Sequence, residues 1–171
     1  MLRLGHIEYS NGLPVHALLV ERGPPHGVEL VPGVPAALNA ELAAGRIDVA
    51  PASSIEYARR AGRYRLFPGL AIAAAGAVGS ILLESEVPPE ALDGAAVAVP
   101  TASATSVVLL RLLLERRLGV RPRYVRFDQD RGGDPFAAGA RAALWIGDAA
   151  LRRAEGTGRR LVDLGAAWRE W

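Results

Sequence analysis

Apolar and polar positions along this chain change rhythm every ten residues or so, and each change of rhythm marks a new element. "LRLGHIEY" alternates and predicts a strand. "GLPVHALLVERG" carries an apolar stripe at helical spacing, with Pro14 in the first turn, where a missing N–H costs nothing. "VELVPGVP" predicts a second strand, and "VPAALNAELAAGRI" an alanine-rich helix ending near Gly45. "IDVAPAS" follows as a strand and "SIEYARRAG" as a helix opened by serine. The apolar run "YRLFPGLAIAAAGAVGSILLES" predicts two buried strands joined by a glycine-rich bend, before a short helix and turn at "VPPEALDG".

The same alternation resumes after Gly94. "AAVAVP" is a strand, and "SATSVVLLRLLLERRLG" is the longest helical pattern, with hydroxyl caps before it and Gly119 at its end. "PRYVRF" predicts a strand, "DQDRGGDP" a loop, "PFAAGA" a short helix and "AALWIG" a strand. "DAALRRAEG" reads as a helix opened by Asp148, "RLVDLG" as a last strand and "AAWREW" as the start of a helix. Strands alternating with helices predict an α/β fold with mostly parallel sheets. The expected division is a first α/β lobe over 1–94, a second over 95–164, and the start of a return segment to the first lobe over 165–171. A crevice between two such lobes is a natural small-molecule site.

Composition narrows the function classes. With 171 residues, half of them hydrophobic and 22% charged, the chain can build a core and has no compositional sign of disorder. All 20 basic residues are arginine, the formal net charge is +2, and the arginines are not interleaved with aromatic residues. A nucleic-acid platform needs that interleaving, so solvated helix faces are the better reading. There is no cysteine, hence no disulfide, thiol nucleophile or thiolate metal site. His6, His16 and His26 lack metal-ligand spacing. No signal-peptide pattern opens the chain, and prolines and glycines break its longest apolar run. The expected location is cytoplasmic, with no membrane and no nucleic-acid partner. A homodimer is the one macromolecular partner envisaged.

Four polar corners remain. They are Tyr9-Ser10-Asn11-Gly12, the serine pair Ser53-Ser54 after Pro51-Ala52, the hydroxyl-rich Thr101–Ser106 (with Ser103, Thr105 and Ser106), and Gly147-Asp148. Each falls where a strand gives way to a helix, beside free N–H groups and a partial positive charge, a setting that favours anions such as carboxylate or phosphate. Ordinary N-capping explains one hydroxyl per helix, and four such corners exceed that need. No GxSxG or HExxH pattern is present. Glu56 reads as a pairing residue, His6 as a satisfied core histidine and Trp145 as core. Asn11 has no plain role beyond turn chemistry.

The words "GHIEYSNGLP", "PAALNAELAAGRIDVAPASSIEYAR", "GAVGSILLES", "SATSVVLLRLLL", "AALWIGDAAL" and "DLGAAWREW" occur in the order in which they occur in one family. The chain resembles the chorismate dehydratase (MqnA) family of the futalosine route to menaquinone. The resemblance implies a two-lobe fold like that of type II periplasmic binding proteins, with the ligand cleft between lobes. It implies a carbon–oxygen lyase that removes water from chorismate, a dicarboxylate, to leave 3-[(1-carboxyvinyl)oxy]benzoate, without metal or cofactor. On this reading Asn11 polarises or orients the substrate, and Ser53, Ser54, Ser80, Thr105, Ser106 and Gly147 contact it. Tyr9, Ser10 and Ser103 belong to the same corners. Asp148 contacts the substrate or acts as proton acceptor, a role that a substrate carboxylate also fits. Family members continue past "WREW", so the first lobe is expected to be incomplete, with an uncovered sheet edge and apolar helix faces, and with poor solubility, self-association or loss of activity of these 171 residues alone. The other readings are a binding module for a small carboxylate and the sister 1,4-dihydroxy-6-naphthoate synthase. A ligand-sensing regulatory domain would need a DNA-binding helical unit.

Overall fold

In the computed structural model, residues 1–156 and 158–171 are described. They form two compact units, Met1–Ile72 and Ala73–Trp171. The expected boundary at Gly94 moves because β3 (Ile81–Ser85) is hydrogen-bonded inside the second sheet, so residues 73–94 fold with the C-terminal strands. Residues 165–171 belong to that second unit as well.

In the first unit, β1 (Leu2–Ile7) pairs in parallel with β2 (Val28–Gly33), from Leu2 opposite Val28 to Ile7 opposite Gly33. The expected strand "IDVAPAS" is only a parallel bridge, Leu4 to Val49, because Pro51 offers no N–H to extend the ladder. Three helices complete the unit: α1 (Leu13–Arg22), α2 (Pro35–Ala43) and α3 (Ser54–Arg60). The first two carry proline in the first turn, as a helix start tolerates. The core is Ile7, Leu38 and Ile47, with Val31, Leu42 and Ala50 packed around it.

The second unit is built on a five-stranded sheet of order β5-β4-β6-β3-β7. Its other strands are β4 (Ala96–Pro100), β5 (Arg123–Phe127), β6 (Ala142–Ile146) and β7 (Arg160–Asp163). β4 runs parallel to β5 and β6, while β3 runs antiparallel to β6 and β7, so this sheet is mixed rather than mostly parallel. Helix α4 (Thr105–Arg111) widens into a π-helical stretch at Leu112–Arg117, and α5 (Gly147–Ala154) and α6 (Leu164–Arg169) complete the unit. Leu83, Val97, Leu110, Leu114, Leu144 and Leu164 meet on one sheet face. Trp145, Ala143 and Phe136 gather in a second cluster.

Two expected elements are absent. Residues 64–80 form no strand, and Leu66, Phe67, Leu70 and Ile72 stand exposed. "PFAAGA" is a turn, not a helix.

Candidate functional site

In parallel segments every strand ends at the same edge, and the helices that come after begin there. In the first unit this edge collects two of the predicted corners. The chain leaves β1 at Ile7, passes extended through Tyr9 and tightens into a 3-10 turn, Ser10–Gly12, before α1. The Gly12 N–H closes the turn on the Tyr9 carbonyl at 2.9 Å. A Cβ at Gly12 would lie 3.1 Å from the Ile7 carbonyl oxygen, so the turn is as tight as glycine allows. Ser10 and Asn11 are exposed, and Tyr9 leans on the small core.

The second corner runs from Pro51 into α3. Ser53 sits at the N-cap position, yet its hydroxyl makes no cap. It accepts instead from Asn39 Nδ2 at 2.7 Å, and the Ser53 N–H donates to Asn39 Oδ1 at 3.1 Å. Asn39, on α2 and buried, thus clamps this corner from outside, while Ser54 remains exposed. Glu56 is held by the Tyr64 hydroxyl at 2.6 Å and by Arg60. Those partners, led by the Tyr64 hydrogen bond, hold its carboxyl below the usual range against the opposing effect of burial. It is a pairing residue, as the sequence suggests.

Beneath the first corner, His6 and His16 meet edge to face with ring centroids 4.9 Å apart. His6 is not fully satisfied: its Nδ1 and both ring nitrogens of His16 are buried with no hydrogen-bond partner. Burial first, and His6 second, pull the His16 pKa below its ordinary value.

In the second unit one edge gathers Ser80, Ser103, Thr105, Ser106, Gly147 and Asp148. Thr101 donates its N–H to the Phe127 carbonyl at 3.0 Å, tying the ends of β4 and β5. The side-chain amide of Gln129 brackets Ile146, donating to its carbonyl at 3.0 Å and accepting its N–H at 3.1 Å. Gly147 takes φ +56°, the left-handed region that glycine adopts without strain, and donates to the Ser80 carbonyl at 2.9 Å. Asp148 lies in the first turn of α5, half-buried. Ser103 accepts from the Ser106 N–H at 3.3 Å, so here the capping role holds. Ser80 and Ser106 are buried and Thr105 is half-buried.

Asp163 fixes the approach to Ser80. Its carboxylate accepts from Gly165 and Ala166 at the start of α6, and from Val78 and Gly79 across the sheet edge, the last at 2.6 Å. Burial alone would raise its pKa; the four backbone donors outweigh it and hold the carboxyl below the usual range.

Sequence reasoning did not single out Asn39, Gln129, Asp163 or Glu84. The signal for Asp163 was available, since Asp before a helical start is a cap pattern. The amide clamps gave none, because their partners lie 14 and 17 residues away. Glu84, fully buried on β3, accepts from Trp145 Nε1 at 2.9 Å, Arg153 at 3.2 Å and Arg159 at 3.1 Å. Among the described residues no three His, Asp or Glu side chains assemble as a metal group. No helix of the described residues is long and apolar enough to cross a membrane.

A family model described as "Menaquinone biosynthesis" matches residues 2–171. The chain belongs to that menaquinone biosynthesis family. A curated chorismate dehydratase of Thermus thermophilus is 35% identical over 149 residues, which is 87% of this chain and 51% of that protein. The chain therefore spans about half the length of that relative. Among solved structures, protein AF1704 from Archaeoglobus fulgidus matches over 99% of this chain and 62% of its own, with TM-score 0.75 and 22% identity. The α/β class expected from the sequence is the observed one. An ancestral arginine-binding protein bound to arginine gives TM-score 0.49 at 16% identity over 95% of this chain and 78% of its own.

Proposed function

We propose that this chain is the catalytic part of a cytoplasmic chorismate dehydratase, a carbon–oxygen lyase of menaquinone biosynthesis. The observation that carries the reading is the 35% identity to a curated chorismate dehydratase across both units. The hydroxyl-rich corners at the strand ends support it, because they suit a dicarboxylate.

The reaction removes the ring hydroxyl of chorismate and the hydrogen on the neighbouring ether-bearing carbon. Their departure as water leaves an aromatic ring, 3-[(1-carboxyvinyl)oxy]benzoate. Aromatisation provides the driving force, so the protein has to orient the substrate, accept a proton and assist the leaving hydroxyl. In this reading Asn11 polarises or orients the reacting portion, with Tyr9, Ser10, Ser53 and Ser54 beside it. Ser80, Ser103, Thr105 and Ser106 offer hydroxyls to carboxylate, Gly147 lets the substrate approach its corner without a side chain in the way, and Asp148 is the candidate proton acceptor.

Incubation with chorismate, then chromatography and mass analysis, tests the proposal. The expected product has lost one water and carries an aromatic enolpyruvyl ether. Asn11→Ala is expected to lower kcat by about 100-fold, with an unchanged circular-dichroism spectrum because the side chain is exposed. Full activity in Asp148→Asn removes Asp148 as the base. Chorismate recovered intact, though bound, supports a carboxylate-binding module instead.

A further inference from the structure

The strand that leads into the Gly147-Asp148 corner outruns its neighbour on one side. β6 lies between β4 and β3. Its pairing with β4 covers Val97 opposite Ala142 and Ala98 opposite Ala143. Its pairing with β3 runs on to Ile146, opposite Ile81. Bonded and non-bonded pairs alternate along an antiparallel ladder. The Gly147 N–H bonds to the Ser80 carbonyl, so Ile146, one residue earlier, turns its own N–H and C=O away from β3. They face the β4 side, where β4 ends at Pro100 and the Thr101 N–H goes to Phe127 of β5. Ile146 is buried, and buried backbone groups without partners are strongly disfavoured.

Gln129 takes the place of the missing strand residue. It lies two residues beyond β5 and reaches past the end of β4. Its Oε1 accepts the Ile146 N–H at 3.1 Å, and its Nε2 donates to the Ile146 carbonyl at 3.0 Å. A primary amide offers the donor and the acceptor of a peptide group, so one side chain substitutes for one residue of a ladder. The Ile146–Gly147 peptide is thereby held at both ends, its C=O by Gln129 and its N–H by the Ser80 carbonyl at 2.9 Å. Trp145, one residue earlier, has its own anchor in Glu84 at 2.9 Å. Gly147, at φ +56° and without a Cβ, leaves the orientation of that peptide to its hydrogen bonds.

We infer, resting on the proposed dehydratase function, that Gln129 is a positioning residue. It sets the orientation of the Ile146–Gly147 peptide and, through it, the place of Asp148 in the first turn of α5. Gln129 acts on the reaction only through that corner. A displaced proton acceptor still lets substrate bind but slows proton transfer, so the loss falls on kcat. Asn39 grips Ser53 by the same two-point contact in the first unit, which makes 51–57 an internal control.

Gln129→Ala and Gln129→Glu, compared with the parent chain by hydrogen exchange and by steady-state turnover of chorismate, test this. Both variants should speed exchange at 146–149 about tenfold or more, with 51–57 unchanged. In both, kcat should fall about tenfold or more while KM stays within about twofold. The carboxylate of Gln129→Glu is isosteric with the amide, keeps an acceptor for the Ile146 N–H and sets an oxygen against the Ile146 carbonyl. A role in packing alone would spare that variant. Unchanged exchange at 146–149 in Gln129→Ala overturns the inference, and so does the parent kcat in Gln129→Glu or a loss confined to KM. Where Gln129→Ala fails to fold, the isosteric variant decides. A parent chain that leaves chorismate unchanged overturns the dehydratase reading instead, and exchange at 146–149 still decides whether Gln129 holds the corner.

Discussion

The second unit packs Leu83, Leu110, Leu114, Leu144 and Leu164 against the central strands of a five-stranded sheet. The first unit has two paired strands and a bridge over a core of Ile7, Leu38 and Ile47, while Leu13, Leu18, Val20, Leu66 and Phe67 stay exposed. A two-stranded sheet is marginal by itself. The first unit is held in addition by polar clamps: Asn39 with Ser53, Arg3 with Asp48 at 3.2 Å, and Glu56 with Tyr64 and Arg60. Exposed ion pairs contribute only about 0–1 kcal/mol. The comparison teaches that the second unit is the stable scaffold and that local opening begins in the first.

Core truncation gives the largest test. Leu144→Ala, at the fully buried centre of β6, should cost about 2–5 kcal/mol and lower the urea midpoint of the whole second unit. Leu38→Ala removes an equally buried side chain, yet hydrogen exchange should accelerate only within 1–72. Equal acceleration in both units would break the comparison.

Glu84→Ala comes next. It strips the carboxylate from Trp145, Arg153 and Arg159. Both arginines retain some access to water, so a loss of about 1–3 kcal/mol is expected, measured by thermal unfolding. Asn39→Ala should cost about 1 kcal/mol and release only the corner at Ser53, visible as faster exchange at 51–57.

The smallest effect is set by pH, and it separates the units. His16 has a folded pKa below its unfolded value, so the unfolded chain takes up the proton first. Stability of the first unit is complete above about pH 6.5 and falls as pH drops toward the folded pKa. Asp163 also has a depressed folded pKa; its contribution is complete above about pH 4 and is lost as pH falls through the folded value. Exchange measured from pH 7 to acid should loosen 1–72 before 73–171, and His16→Phe should remove the first phase.

Much of this fold was legible because periodicity reports burial on one face. Helices α1, α2, α3 and α4 and strands β1 to β7 fall within the segments whose rhythm predicts them, and α5 starts one residue before its segment. Residues 64–80 misled because apolar composition alone implies burial, whereas Pro68 and the positive φ of Gly69, Gly76 and Gly79 interrupt any ladder. The direction of β3 is a matter of tertiary pairing and leaves no mark in an apolar run. Of the candidate residues, the corners were readable as hydroxyls and glycines at strand ends. The groups that hold them, Asn39 and Gln129, were not, since an amide bonding to a distant backbone looks like any other polar side chain.

Both units present hydroxyl-rich strand ends, and under the proposed function each set is expected to respond to chorismate. Hydrogen exchange with and without chorismate tests it most directly. The account predicts slower exchange on adding chorismate at both 9–12 and 51–57 in the first unit and 101–106 and 146–149 in the second. Protection confined to one unit, or absent from both, would contradict it.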